Sequence, residues 1–199
     1  MKISAAMVKE LRTATGAGIL DAKKALEATD GDFDKAADIL REKGAARAAK
    51  RTGREASEGV IEVYEHPGNR VGVMLELNCE TDFVARNEQF LALAHDLALH
   101  IAAMNPQYMK AEDVPSEELD REVAVLRNQA LAEGKPEEIA DKIVAGRIKK
   151  FYGEFCLLDQ PFVKDDKFTI QDLITNAISV TGENIKIRRF TRYELGESL

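Results

Sequence analysis

Cysteine occurs only at Cys79 and Cys156. Two are too few for the disulfide framework of a small secreted domain, and each reads as a small buried hydrophobe rather than a reactive thiol. Histidine is scarce as well, with three in the chain. The pair closest in sequence, His95 and His100, fails as a helical metal pair. At about 100° per residue, a spacing of five sets the imidazoles roughly 140° apart around a helix, whereas paired zinc ligands four apart share a face. No nucleophile elbow, Walker loop or cysteine pair at ligand spacing occurs. No apolar run is long enough to cross a bilayer, and the first residues lack the apolar core of a signal peptide. Positive charge is not in excess: the formal net charge is −7, which opposes wholesale binding to nucleic acid or an anionic membrane. These absences predict a cytoplasmic protein with no catalytic group, cofactor or metal site of its own.

What is present is ordinary for a folded chain. Of 199 residues, 45 % are hydrophobic and 32 % charged, enough to bury the core of one or two domains. The organising stretch is Asn78-Cys79-Glu80-Thr81-Asp82-Phe83-Val84-Ala85-Arg86-Asn87. Before it, Val71, Val73, Leu75, Leu77 and Cys79 fall on alternate positions, the period of a half-buried strand. After it, Phe90, Ala94, Leu97, Ile101 and Met104 recur at threes and fours, the stripe of a helix, with Asn87 as its cap and Glu88 at its positive end. The junction between them admits two readings. In one, Asp82 caps a helical turn and Phe83 plugs the core. In the other, Phe83 is an exposed anchor, a large aromatic held on a rigid turn to enter a partner's pocket.

The chain opens with three predicted helices. Ser4 caps the first, Ile3 and Val8 staple it, and it ends near Gly16 with Val8 and Leu11 inward. Ile19, Ala22 and Leu26 form the apolar side of the second, although Ile19 and Leu20 also suit a surface left for a partner. Gly31 closes this helix in a left-handed conformation and Asp32 caps the third. Phe33, Ala36, Ala37 and Leu40 line one face of that helix before Gly44 stops it. The Gly16-Ala17-Gly18 turn lacks the preceding strand and third glycine of a dinucleotide site, so it reads as a tight helix–helix turn. Residues 46–56 form a basic linker, helical at its start, with no interleaved aromatic for base stacking. The linker separates a first domain of residues 1–45 from a second of 57–199.

Val60 to Tyr64 reads as a strand, and His66-Pro67-Gly68-Asn69 turns it into the strand that delivers Asp82 and Phe83. Beyond the long helix, Asn105-Pro106 breaks the pattern. Pro115-Ser116 begins a helix striped by Leu119, Val123, Leu126 and Ala130. After Gly134-Lys135-Pro136 comes another, carrying Ile139, Ile143, Val144 and Ile148 and ending near Gly153. So short a turn makes an antiparallel helical hairpin over residues 116–153. A helix over 169–181 carries Ile170, Leu173, Ile174, Ala177 and Ile178 inward. In the closing strand, 184–193, Ile185 and Ile187 alternate, but Phe190 and Tyr193 are out of step with them and with each other, a slip that a bulge near Arg188-Arg189 would explain. The fold class is α+β: a helical domain, then a small antiparallel sheet covered by helices with a helical hairpin inserted.

Three wordings, with a short fourth segment beside them, give the chain a resemblance. Thr81 to Asn87 resembles the signature of elongation factor Ts, the exchange factor for the translational GTPase elongation factor Tu. The segment from Leu11 to Leu26, including Arg12, Thr15, Gly16, Ala17, Gly18 and Ile19, resembles that family's N-terminal domain, itself similar to ubiquitin-associated three-helix modules. Gly134 to Ala140 and Gly146 to Phe151 are similar to its coiled-coil hairpin, and Gln160 to Val163 to the segment just beyond that hairpin. The resemblance implies a non-catalytic guanine nucleotide exchange factor. Asp82 and Phe83, with Val84 and Ala85 beside them and Thr81 and Asn87 in support, would push between helices of the GTPase, displace Mg²⁺ and loosen the phosphate site. The N-terminal helices would dock on another face. The chain is shorter than the family's long forms, which implies a homodimer in which each protomer supplies what a second half-core does elsewhere. An RNA-associated adaptor using the basic linker and the Lys186, Arg188, Arg189 and Arg192 strand is the alternative.

Overall fold

The computed structural model describes residues 3–198; the first two residues of the predicted 1–45 domain and the last of 57–199 lie outside the described residues. The architecture is α+β, with eight α-helices and two small sheets among the described residues. Helices α1 (Ala5–Thr15), α2 (Ile19–Ala28) and α3 (Phe33–Ala49) come first. The strands β1 (Glu58–Glu65) and β2 (Val71–Cys79), the one-turn helix α4 (Asp82–Ala85) and the long helix α5 (Glu88–Met104) come next. The hairpin of α6 (Ser116–Ala132) and α7 (Glu137–Phe155) precedes β3 (Pro161–Phe162), β4 (Asp165–Thr169), α8 (Ile170–Thr181) and β5 (Lys186–Glu194). Contacts divide the chain into two compact units. One runs to Val63 and adds Met74–Asp96 and Asp172–Thr191; the other comprises Tyr64–Val73, Leu97–Gln171 and the chain from Arg192 on.

In the first unit, the three-helix cluster forms as its local signals dictate. Ser4 Oγ accepts the Met7 amide and Asp32 Oδ1 the Lys35 amide, each satisfying a helix-start N–H that has no partner within the helix. Val8, Leu11, Ala22, Ala25, Leu26, Ala36 and Leu40 interlock as the core, with Ile3, Met7 and Phe33 against it. Gly16 caps α1 at φ 68°. A Cβ there would meet Val180 Cγ2 at 2.8 Å, so the α1–α2 turn lies hard against α8. Gly31 takes the predicted positive φ of 87°.

Two expectations for these helices fail. Gly44 does not stop α3, which continues to Ala49. Gly44 is buried inside the helix, where an added Cβ would stand 3.2 Å from Ser179 Oγ, so the glycine answers the approach of α8 rather than a helix end. Ile19 does not join the apolar side of α2: it is 59 % exposed and Leu20 73 %.

The three-stranded sheet has the order β1-β2-β5. The His66 amide donates to Val71 O across the β1–β2 turn, with Asn69 at φ 57° and Gly68 at φ 96°. β5 runs antiparallel to β2, since Arg189 meets Glu76 while the Leu195 amide meets Arg70 O. Val73, Leu75, Leu77 and Cys79 are buried as their alternation predicts. On β5, Ile187 is buried, Arg188 and Arg189 are both exposed and Phe190 turns back in, so the alternation slips at the predicted pair.

The second unit holds the hairpin. Leu126 and Ala130 of α6 and Ala140 and Val144 of α7 are buried, and Gly134 makes the turn at φ 76°. Ile139 departs from the expected stripe and is exposed, as is Met104 at the end of α5. α7 passes Gly153 and ends at Phe155. The short β3–β4 hairpin has no counterpart among the elements predicted from the sequence.

Candidate functional site

β2 runs out at Cys79, and within three residues the backbone begins the single turn of α4. So short a helix cannot hold itself, because its few backbone bonds do not repay nucleation. Its support comes from caps and from a distant segment. Thr81, extended at φ −129° and ψ 156°, is the N-cap, with Oγ1 accepting the Val84 amide. The cap is therefore Thr81 and not Asp82. The Ala85, Arg86 and Asn87 amides bond back to Thr81 O, Asp82 O and Val84 O. Asn87 then starts α5, its Oδ1 accepting the Gln89 amide at 2.8 Å.

The side chains of this turn divide by direction. Ala85 is buried and Val84 partly so, which anchors the turn within the first unit. Phe83 points the other way and is 83 % exposed, so the reading in which it plugs the core is overturned. Asp82 Oδ2 pairs with Arg86 Nη2 at 3.1 Å on the surface, a contact worth a few tenths of a kcal/mol. Beneath, the Cys79 thiol donates to Thr81 O at 3.2 Å. Burial, then the Glu183 carboxylate, push this thiol up to about 11, and it stays protonated and unreactive at neutral pH. Cys156 is pushed to about 11 in the same way, by burial first.

The distant segment is Glu183-Asn184. Glu183 Oε2 accepts the Glu80 and Thr81 amides at 3.1 and 3.0 Å, and its Oε1 accepts the Thr81 hydroxyl at 2.6 Å. In return Glu80 Oε1 accepts the Asn184 amide at 2.7 Å, which with Arg54 nearby holds the Glu80 carboxyl below its usual range. Nothing local in the sequence marks Glu183: its partners lie over a hundred positions away.

The other predicted residues spread over the three-helix cluster. Leu11 is fully enclosed in its core and can act only by holding the helices. Thr15 bonds Leu11 O, Ala17 is half-buried, and Arg12, Gly16 and Gly18 are exposed beside Ile19. His95 and His100 share no site. His95 Nδ1 meets Glu62 at 3.0 Å, whereas His100, wholly buried, meets Gln160 and the Val163 amide. Among the described residues no helix is long and apolar enough to cross a membrane.

Comparison with known proteins identifies the family. The family profile described as "Elongation factor TS" matches residues 4–197. An elongation factor Ts of Desulfitobacterium hafniense is 59 % identical over 198 residues, covering 100 % of this chain and 91 % of that protein. One of Herpetosiphon aurantiacus is 58 % identical over 198 residues and 100 % of both chains. One of Heliobacterium modesticaldum is 55 % identical over 197 residues, 99 % of this chain and 92 % of that protein. With a match of that extent, the chain belongs to the elongation factor Ts family, the translation elongation factors that serve nucleotide exchange.

Proposed function

We propose that this chain binds the GDP form of elongation factor Tu in the cytoplasm and speeds release of the nucleotide, so that GTP can rebind. The observation that carries the reading is Phe83, a large apolar side chain turned to solvent on a short helix that is capped, seated and tied from outside. A ring held in one orientation on such a turn gives a docking protein a wedge whose ordering cost is already met. Burying it in the GTPase contributes roughly 1.5–3 kcal/mol, or about one to two decades of affinity. Asp82 accompanies it and disturbs the Mg²⁺ and phosphate contacts that hold the nucleotide. Ile19 and Leu20 offer a second, separate docking surface on α2.

No group of this chain takes part in bond making. The effect is linkage: the factor by which the protein weakens GDP is the factor by which GDP weakens the protein. The test is release of a fluorescent GDP analogue from elongation factor Tu as this protein is added. A rate that climbs and saturates supports the reading, and a rate independent of the protein contradicts it.

The homodimer belongs to the same proposal. Ile61 and Val63 of β1 and Met74 of β2 are exposed on the sheet face opposite buried Val73, Leu75 and Leu77. A second copy laid on that face would bury them. The adaptor reading fares worse. Arg188 and Arg189 both converge on Glu76, Arg54 pairs with Glu80, and Arg47 with Asp21, so these cations already have acidic partners.

A further inference from the structure

A wedge is only as useful as the direction in which it points, and α4 has too few backbone bonds to fix that direction. Glu183 and Thr81 stand 102 residues apart in sequence, yet one carboxylate takes both amides at the base of the turn and the cap hydroxyl as well. Bonds to an ionised acceptor are stronger than neutral ones. Thr81 Oγ1 in turn holds the Val84 amide, so Glu183 reaches the amide next to Phe83 through a single intermediary.

From this geometry we infer that Glu183 is the positioning residue for Phe83: its carboxylate sets the cap that aims the ring, and removing it costs exchange rather than docking. The inference rests on the reading of Phe83 as the inserted group. Asn184 strengthens the arrangement from the other side. Its amide binds Glu80, and its Nδ2 donates to Thr52 O and Arg54 O, while Arg54 Nη1 reaches Glu80 Oε2. The segment after α3 is thereby fastened to the platform that carries the wedge.

Without the Glu183 carboxylate, the Glu80 and Thr81 amides and the Thr81 hydroxyl lose their shared acceptor. The cap then frays and the ring samples several directions. A glutamine in its place would retain an oxygen for the amides and an NH₂ group for the Thr81 hydroxyl, which can accept as well as donate. Glu183→Gln is therefore a rescuing variant and Glu183→Ala a disabling one.

The experiment measures release of a fluorescent GDP analogue from elongation factor Tu against concentration of the full chain, for the wild type, Glu183→Ala, Glu183→Gln and Phe83→Ala. In parallel, amide hydrogen exchange is followed in each free protein at Val84 and Ala85, with Leu75 and Leu77 as the folded reference. Glu183→Ala is expected to lower the saturating rate about tenfold, to leave the half-saturating concentration within about twofold and to speed exchange at Val84 and Ala85 about tenfold. Glu183→Gln is expected to lie within about threefold of the wild type. Should Glu183→Ala not fold, Thr81→Val, which removes one donor and the Val84 cap, shows the same two effects at smaller size. Unchanged exchange at Val84 and Ala85 overturns the inference. So does an unchanged rate where Phe83→Ala is slow. If Phe83→Ala has no effect on release, the wedge itself is lost, and exchange at Val84 alone then decides whether Glu183 holds the turn.

Discussion

His100 has no exposure to solvent and two fixed partners. The Val163 amide donates to Nδ1 at 3.2 Å, so the ring proton sits on Nε2 and is donated to Gln160 Oε1 at 2.9 Å. Gln160 Nε2 passes the chain on to Glu154 O and Met104 O. Both partners of the ring are uncharged, and burial holds its pKa below the ordinary 6.5. Below about 6.5 the unfolded chain takes up a proton that the folded ring refuses, so stability is lost as pH falls. Unfolding midpoints should therefore drop from pH 7 toward pH 5. His100→Gln, which strands the Val163 amide, should cost about 1–3 kcal/mol at pH 7, and its deficit against the wild type should shrink in acid. A pH-independent difference would contradict this. The sequence disclosed His100 only as a failed metal ligand, because its partner lies 60 positions away. Phe83 was more legible: the change of period around it marked a junction, although spacing alone left open whether the ring turned inward or out.

At the scale of elements, local chemistry told where helices begin and tertiary packing told where they end. Ser4, Asp32 and Asn87 cap as expected, each by bonding an amide within three residues. α3 overruns Gly44 because a distant helix needs that glycine small. The hairpin shows which contacts between elements matter. Arg127 meets Asp141 at 3.1 Å and Arg147 meets Glu133 at 3.4 Å, but all four side chains are well exposed. Leu126 is buried on α6, the helix that packs against α7. Arg127→Ala should thus cost under about 1 kcal/mol and Leu126→Ala about 2 kcal/mol, both by chemical denaturation. Equal losses would mean that the ion pairs, rather than the seam, hold the two helices together. Spacing puts Ile139 in the stripe, but the residue sits in the first turn of α7, where the stripe meets solvent.

For the whole molecule, the open sheet face and the wedge make separate claims. Val63 is 66 % exposed on that face, and sedimentation should find a dimer that Val63→Glu converts to monomer without unfolding. A wild type that stays monomeric at high concentration would remove the dimer while leaving exchange untouched. The exchange claim has its own direct measurement: the saturating rate of GDP release from elongation factor Tu with wild type and with Phe83→Ala, each shown to bind the nucleotide-free GTPase. A variant that still binds, with affinity lowered by no more than about one to two decades, yet loses most of the acceleration at saturation is the predicted result. A folded Phe83→Ala that releases GDP as fast as the wild type would contradict it.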